Sequence, residues 1–188
     1  KDLKSRKLNT LNTERIEAKI EEHPWVRNAE VIIGFQRMDK KFFAGRLKVF
    51  VDQREPLYRV MYNEGGYYVD TDGERMPFSS INTAKVVVCS GRITSEIMKG
   101  ELKDFINFIN DKPFWKAQIE QIYVKSNGEY ILVPRLGGHL IELGKLENLD
   151  KKFRNLMALY EKGFKSGGWD KYRRVSVKFE NQIVCTRK

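Results

Sequence analysis

The chain has 188 residues, 41% of them hydrophobic and 12% aromatic, with a formal net charge of +10. The length allows one large domain or two small ones, and the composition excludes a disordered or low-complexity chain. No run of about 18 apolar residues occurs, so no membrane-spanning helix lies within the sequence, and no signal peptide is visible. The chain starts at Lys1 with an incomplete element and is read as a piece of a longer protein.

Leu11, Ile16 and Ile20 stand at helical spacing. Asn12 or Thr13 can cap that helix, and Glu14 and Glu17 favour its dipole from the first turns. Pro24 stops it, because it lacks an amide hydrogen and pushes His23 out of the helical region. Ala29, Val31, Ile33 and Phe35 then alternate with the residues between them, which predicts a strand over 29–37. After a turn through Met38, Asp39 and Gly45, Leu47, Val49 and Val51 alternate in turn, so the pair reads as an antiparallel hairpin with one half-buried face. Trp25 and Val26 mark the corner where the helix folds back onto the sheet. Pro56 breaks the pattern and is the best domain boundary, dividing the chain into 1–56 and 57–188.

The second part is richer in strands. Leu57–Tyr62 is followed by the turn Asn63–Gly66, by Tyr67–Val69, and by a hairpin turn at Asp72-Gly73. Lys85–Cys89 is a short apolar strand. A helix over about Ser95–Asn110 presents Ile97, Phe105, Ile106, Phe108 and Ile109. Pro113, Phe114 and Trp115 form another corner. Strands over 118–125, 129–134 and 139–144 are separated by "SNG" and "RLGG". A second helix, 148–161, carries Leu149, Phe153, Leu156 and Tyr160 in one stripe, with Gly163 as its C-cap. The chain closes on "RRVSVKFENQIVCT", read as one long strand over 174–186.

Residues 151–188 hold eleven Lys or Arg against three acids, so +8 of the +10 lies at this end. Such a cluster suits an acidic partner, a membrane surface or nucleic acid, and it also describes an ordinary solvated face. A nucleic-acid module would stack bases on Trp169 and Tyr172, yet no RNP-like or helix-turn-helix pattern accompanies them. Cys89 and Cys185 stand far apart in strand-like runs. They are read as buried free thiols, or as a disulfide if the compartment is oxidising. Neither His23 nor His139 sits in a metal-binding spacing, so no metal and no cofactor are expected. Asp70 and Asp72 are close, but turn aspartates ordinarily bond their own backbone. No catalytic signature is present, so the chain is not read as an enzyme.

Four segments taken in order carry a resemblance: "LNTERIEAKIEEHPWVRNAEV", "VFVDQREPLYRV", "GGYYVDTDGERMP" and "GWDKYRRVSVKFENQIVCTRK". Together they resemble the bacterial cell-division family FtsQ (DivIB), in its Bacteroidetes-type form, over nearly the whole chain. The resemblance implies an α+β fold: a POTRA domain, incomplete at its N-terminus and reduced to a helix plus a β-hairpin, then a larger mixed or antiparallel β-domain with two helices. His23, Pro24, Trp25 and Val26 would be the structural turn from the POTRA helix into its hairpin.

The implied function is a non-catalytic divisome scaffold on the periplasmic face of the inner membrane at the septum. It would be anchored by a helix upstream, and would bind FtsB/FtsL-type proteins and other divisome components. Outer-membrane assembly factors also contain POTRA domains, but carry several in tandem. In the family, the last strand and the preceding helix bind the partner. Matched by motif, Lys178, Phe179, Asn181 and Thr186 fall where the family places contacts, and Arg174, Val175, Val177 and Tyr160 are further candidates for partner binding. The residues themselves support an edge strand that accepts a partner's strand, or a plain strand with Val175, Val177, Phe179, Ile183 and Val184 in the core.

Overall fold

The computed structural model describes residues 11–37, 43–79, 83–164, 170–180 and 182–188. The chain divides into two compact units, Lys1–Glu55 and Pro56–Lys188.

In the first unit, helix α1 (Thr13–Glu21) starts where Asn12 Oδ1 accepts the Arg15 amide at 2.8 Å. That bond satisfies one of the amides a helix start leaves open. The chain turns through His23-Pro24 and enters β1 (Val26–Arg37), which pairs antiparallel with β2 (Phe43–Gln53). The His23 carbonyl accepts the Val26 amide at 2.8 Å, and the Trp25 carbonyl accepts the Arg54 amide at 2.9 Å. His23 and Pro24 are exposed, while Trp25 and Val26 are half-buried. The turn expected at Met38 and Asp39 lies outside the described residues. Among the described residues of this unit only Ala29 and Val31 are buried, whereas Ile32, Phe35, Val49, Phe50 and Val51 are exposed. One helix with no buried residue of its own does not cover a hairpin of this length.

The second unit is built on a nine-stranded sheet in the order β11-β10-β9-β8-β7-β6-β3-β4-β5. Its strands are β3 (Pro56–Tyr62), β4 (Gly65–Asp70), β5 (Arg75–Met76), β6 (Val87–Gly91), β7 (Ile119–Val124), β8 (Tyr130–Pro134), β9 (Leu140–Gly144), β10 (Tyr172–Ser176) and β11 (Val184–Arg187). Parallel neighbours need a crossover. Helices α2 (Ser95–Lys99), α3 (Glu101–Asn110) and α4 (Pro113–Gln118) supply it between β6 and β7, and α5 (Leu149–Ala158) between β9 and β10. The alternating residues Tyr58, Val60, Ile122, Val124, Tyr130, Leu132, Ile141 and Val175 join one core with Leu102, Phe105, Ile106, Ile109, Phe153 and Leu156 of α3 and α5. At the β4–β5 turn, Asp70 Oδ1 accepts the amides of Asp72 and Glu74 at 2.9 and 2.7 Å, the backbone role expected of a turn aspartate.

Several elements differ from the sequence reading. The helix expected over Ser95–Asn110 breaks at Gly100, whose backbone (φ −105°, ψ −112°) leaves the helical region. The Pro113 corner winds into α4, since proline suits a first helical turn. The second helix ends in a π-helical turn, Leu159–Gly163. Gly163 is therefore not a left-handed cap; a Cβ there would come within 2.8 Å of Leu159 Cδ1. The long closing strand over 174–186 is instead a hairpin. The polar run "KFENQ" interrupts it, β10 ends at Ser176, and β11 begins at Val184. Both cysteines are free. Cys89 is on β6 and Cys185 on β11, five strand positions apart, and five spacings of about 4.8 Å far exceed the reach of a disulfide.

Candidate functional site

The closing hairpin ends the sheet. β10 is paired on both sides, parallel to β9 (Arg174↔Leu140, Val175↔Ile141, Ser176↔Glu142) and antiparallel to β11 (Arg174↔Thr186, Val175↔Cys185, Ser176↔Val184). An incoming strand therefore has no place on β10. Among the described strands β11 pairs with β10 alone, so it forms an edge of the sheet with one side of its backbone unpaired by another strand. Val184 is exposed and Thr186 half-buried; by register they share a sheet face with Arg174, whose guanidinium donates to Glu142 Oε1 at 3.1 Å.

The residues expected to contact a partner thus fall into three groups. Arg174, Phe179 and Thr186 have surface positions, with Phe179 51% exposed on the loop between β10 and β11. Val175 on β10, Val177 just after it and Tyr160 in the π-helical turn are buried and belong to the core. Asn181 lies outside the described residues, as does Trp169. Lys178 is a case by itself. Its ammonium donates to Glu129 Oε2 at 2.8 Å, and Lys125 donates to the same oxygen at 3.0 Å. Those two lysines, Lys178 first, hold the Glu129 carboxyl down to about 2.

α5 flanks this loop. Asn148 precedes it in the left-handed region (φ 53°), and Lys151 meets Glu180 of the loop at 3.7 Å. Lys152 donates to the carbonyls of Leu143 and Lys145 at 3.0 and 2.7 Å, and burial pushes its ammonium below its ordinary value. A cleft of about 320 Å³ runs between α5 and the loop, with Phe179, Gln182 and Ile183 on its loop side. Behind α5, Tyr160 packs on Trp115, Phe114 and Phe164, and its hydroxyl lies 2.9 Å from His139 Nε2. The other imidazole nitrogen lies 2.9 Å from the Gly137 carbonyl, which can only accept. Nδ1 therefore carries the proton, and Nε2 accepts from Tyr160.

The arrangement offers an unpaired strand edge, an exposed aromatic ring and basic groups beside it, which suits recognition of an extended chain. Sequence reasoning located this end of the chain but missed Glu129, and it offered Val184 only as a core residue although its side chain is exposed. Lys125 is a local partner of Glu129, but nothing local marks its pairing with Lys178, 49 residues away. Val184 carried a signal, an apolar residue following a polar interruption.

A family model described as FtsQ/DivIB, C-terminal related, matches residues 55–186, well over half of the chain. No curated protein matches it. The match takes in the closing hairpin up to Thr186 and nearly all of the second unit, and the chain thus belongs to the FtsQ/DivIB C-terminal related family of cell-division proteins.

Proposed function

We propose that this chain is a non-catalytic scaffold of the divisome, the periplasmic part of a membrane-tethered division protein. The first unit is a POTRA-type module, and the second holds FtsB/FtsL-type partners at the septum. In this way it helps to recruit and regulate septal wall synthesis together with other divisome components, and it needs no cofactor and no nucleic acid. The observation that carries the reading is the place of β11 at the sheet edge, paired on one side only. An extended partner segment pairs along β11, so that backbone bonds supply affinity. Phe179 and the surrounding basic groups supply specificity and steer acidic residues of the partner.

The test is a calorimetric titration of the chain with the periplasmic segment of an FtsB-type protein. A proline at an outward-facing amide of β11 removes a donor and clashes with the incoming strand. It is expected to weaken binding at least about tenfold, and Phe179→Ala to cost about 2 kcal/mol as an anchor. Folded variants that bind like the parent would place the site elsewhere.

A further inference from the structure

The loop that leads into β11 is held at a point the edge-strand reading does not use. Val177 ends the buried part of the hairpin, its amide donating to the Glu142 carbonyl at 3.0 Å. The next residue, Lys178, lays its stem across the end of β9. A Cβ on Gly144, itself at φ +75°, would stand 3.1 Å from Lys178 Cγ. The ammonium then reaches Glu129, at the start of β8, and shares it with Lys125. The side chains of Lys178 and Glu129 are only 26% and 23% exposed, so this pair is better shielded from water than an ordinary surface bridge. Two residues on, the chain is at the surface again, and Glu180 meets Lys151 at 3.7 Å.

β11 itself is weakly held. It is four residues long and paired along one side. A strand that short takes its order from what fixes its ends as much as from its ladder. A lysine already spent on an internal carboxylate is also poorly placed to meet a partner's acid. We propose that Lys178 is a positioning residue: with Glu129 it clamps the start of the loop leading to β11 onto the β7–β8 turn and Gly144, so that the edge strand is presented pre-organised, and it does not itself touch the partner. The inference rests on the reading of β11 as the partner-binding edge. Its gain in affinity comes from order fixed before the partner arrives.

Two measurements on the full chain test it: amide hydrogen exchange of β11 in the absence of partner, and titration with the FtsB-type periplasmic segment. Lys178→Met and Glu129→Gln are each expected to speed β11 exchange by about three- to tenfold and to weaken the segment by a similar factor, with β8 exchange unchanged. The double variant should be no weaker than either single one, because both remove one interaction. Lys178→Arg, which keeps the charge, should restore both readouts. If Glu129→Gln binds like the parent while Lys178→Met does not, Lys178 contacts the partner directly and the proposal falls. It falls equally if β11 exchange is unchanged in both. Faster β11 exchange in the clamp variants, combined with a β11 proline that leaves binding intact, would instead sink the strand-addition reading.

Discussion

His139 is buried at the start of β9, where it donates through Nδ1 to the Gly137 carbonyl and accepts through Nε2 from Tyr160. The rings of Tyr160 and Phe164 pack against it. Burial lowers its pKa from the ordinary value of 6.5, because a charged imidazolium would lose its hydration there. A group whose pKa is depressed on folding stabilises the fold above its unfolded value, and that stability is lost as pH falls through the folded value. The fold should therefore weaken as pH falls below about 6.5 and the unfolded histidine takes up a proton. Protonation in the folded state would also turn Nε2 into a donor and reverse its bond with Tyr160. The expected outcome is a melting temperature that falls between pH 7 and pH 5, with a smaller fall in His139→Gln. Melts of the two proteins across that range decide it, and equal slopes would assign the acid sensitivity to other groups. The Glu129 clamp should not contribute in this window. Its carboxyl, held near 2, loses stabilising charge only well below the ordinary carboxylate range.

At the scale of elements, α1 is more than a cover for β1. Glu21 Oε1 accepts the Ala29 amide at 2.8 Å and Glu17 Oε1 accepts the Val31 amide at 2.7 Å. Two carboxylates one helical turn apart thus meet two amides two residues apart along the strand, and close part of an otherwise open edge. Replacing both with alanine is expected to cost the first unit about 1 kcal/mol for each bond, and to make the chain self-associate through β1. Analytical ultracentrifugation with a thermal melt would show both effects, and a monomeric variant of unchanged stability would mean that the edge needs no such closure. Neither pairing could be read from the sequence, where Glu17 and Glu21 look like the solvated face of an amphipathic helix. The strands β7, β8 and β9 were legible, because a clear period of two runs between turn residues. The closing hairpin was not, since Val175, Val177 and Phe179 continue one alternation although the strand stops at Ser176. Periodicity separates two faces but does not say which one packs on helices. That is why Val175 and Val177 read equally well as core and as contact residues.

For the whole molecule, burial is divided very unevenly. Of the 27 hydrophobic residues buried among those described, only Ala29 and Val31 belong to the first unit. Apolar burial is the main favourable term in folding, so the second unit should be far the more stable of the two. A single unfolding free energy would then not describe this chain. Trp25 gives a handle on the weaker part, because it sits at the corner between α1 and β1 and its carbonyl holds the end of β2 through Arg54. Its ring is half-buried, so Trp25→Ala should cost less than the 3–5 kcal/mol typical of a buried tryptophan, about 1–2 kcal/mol. In denaturant, exchange of the β1 amides is expected to reach its midpoint earlier in the variant than in the parent, while exchange of β8 keeps its midpoint. Titration with the FtsB-type segment should give the parent's affinity, because the edge at β11 belongs to the other unit. A shift of the β8 midpoint, or a loss of binding in the folded variant, would show that the corner at Trp25 serves the second unit as well as the first.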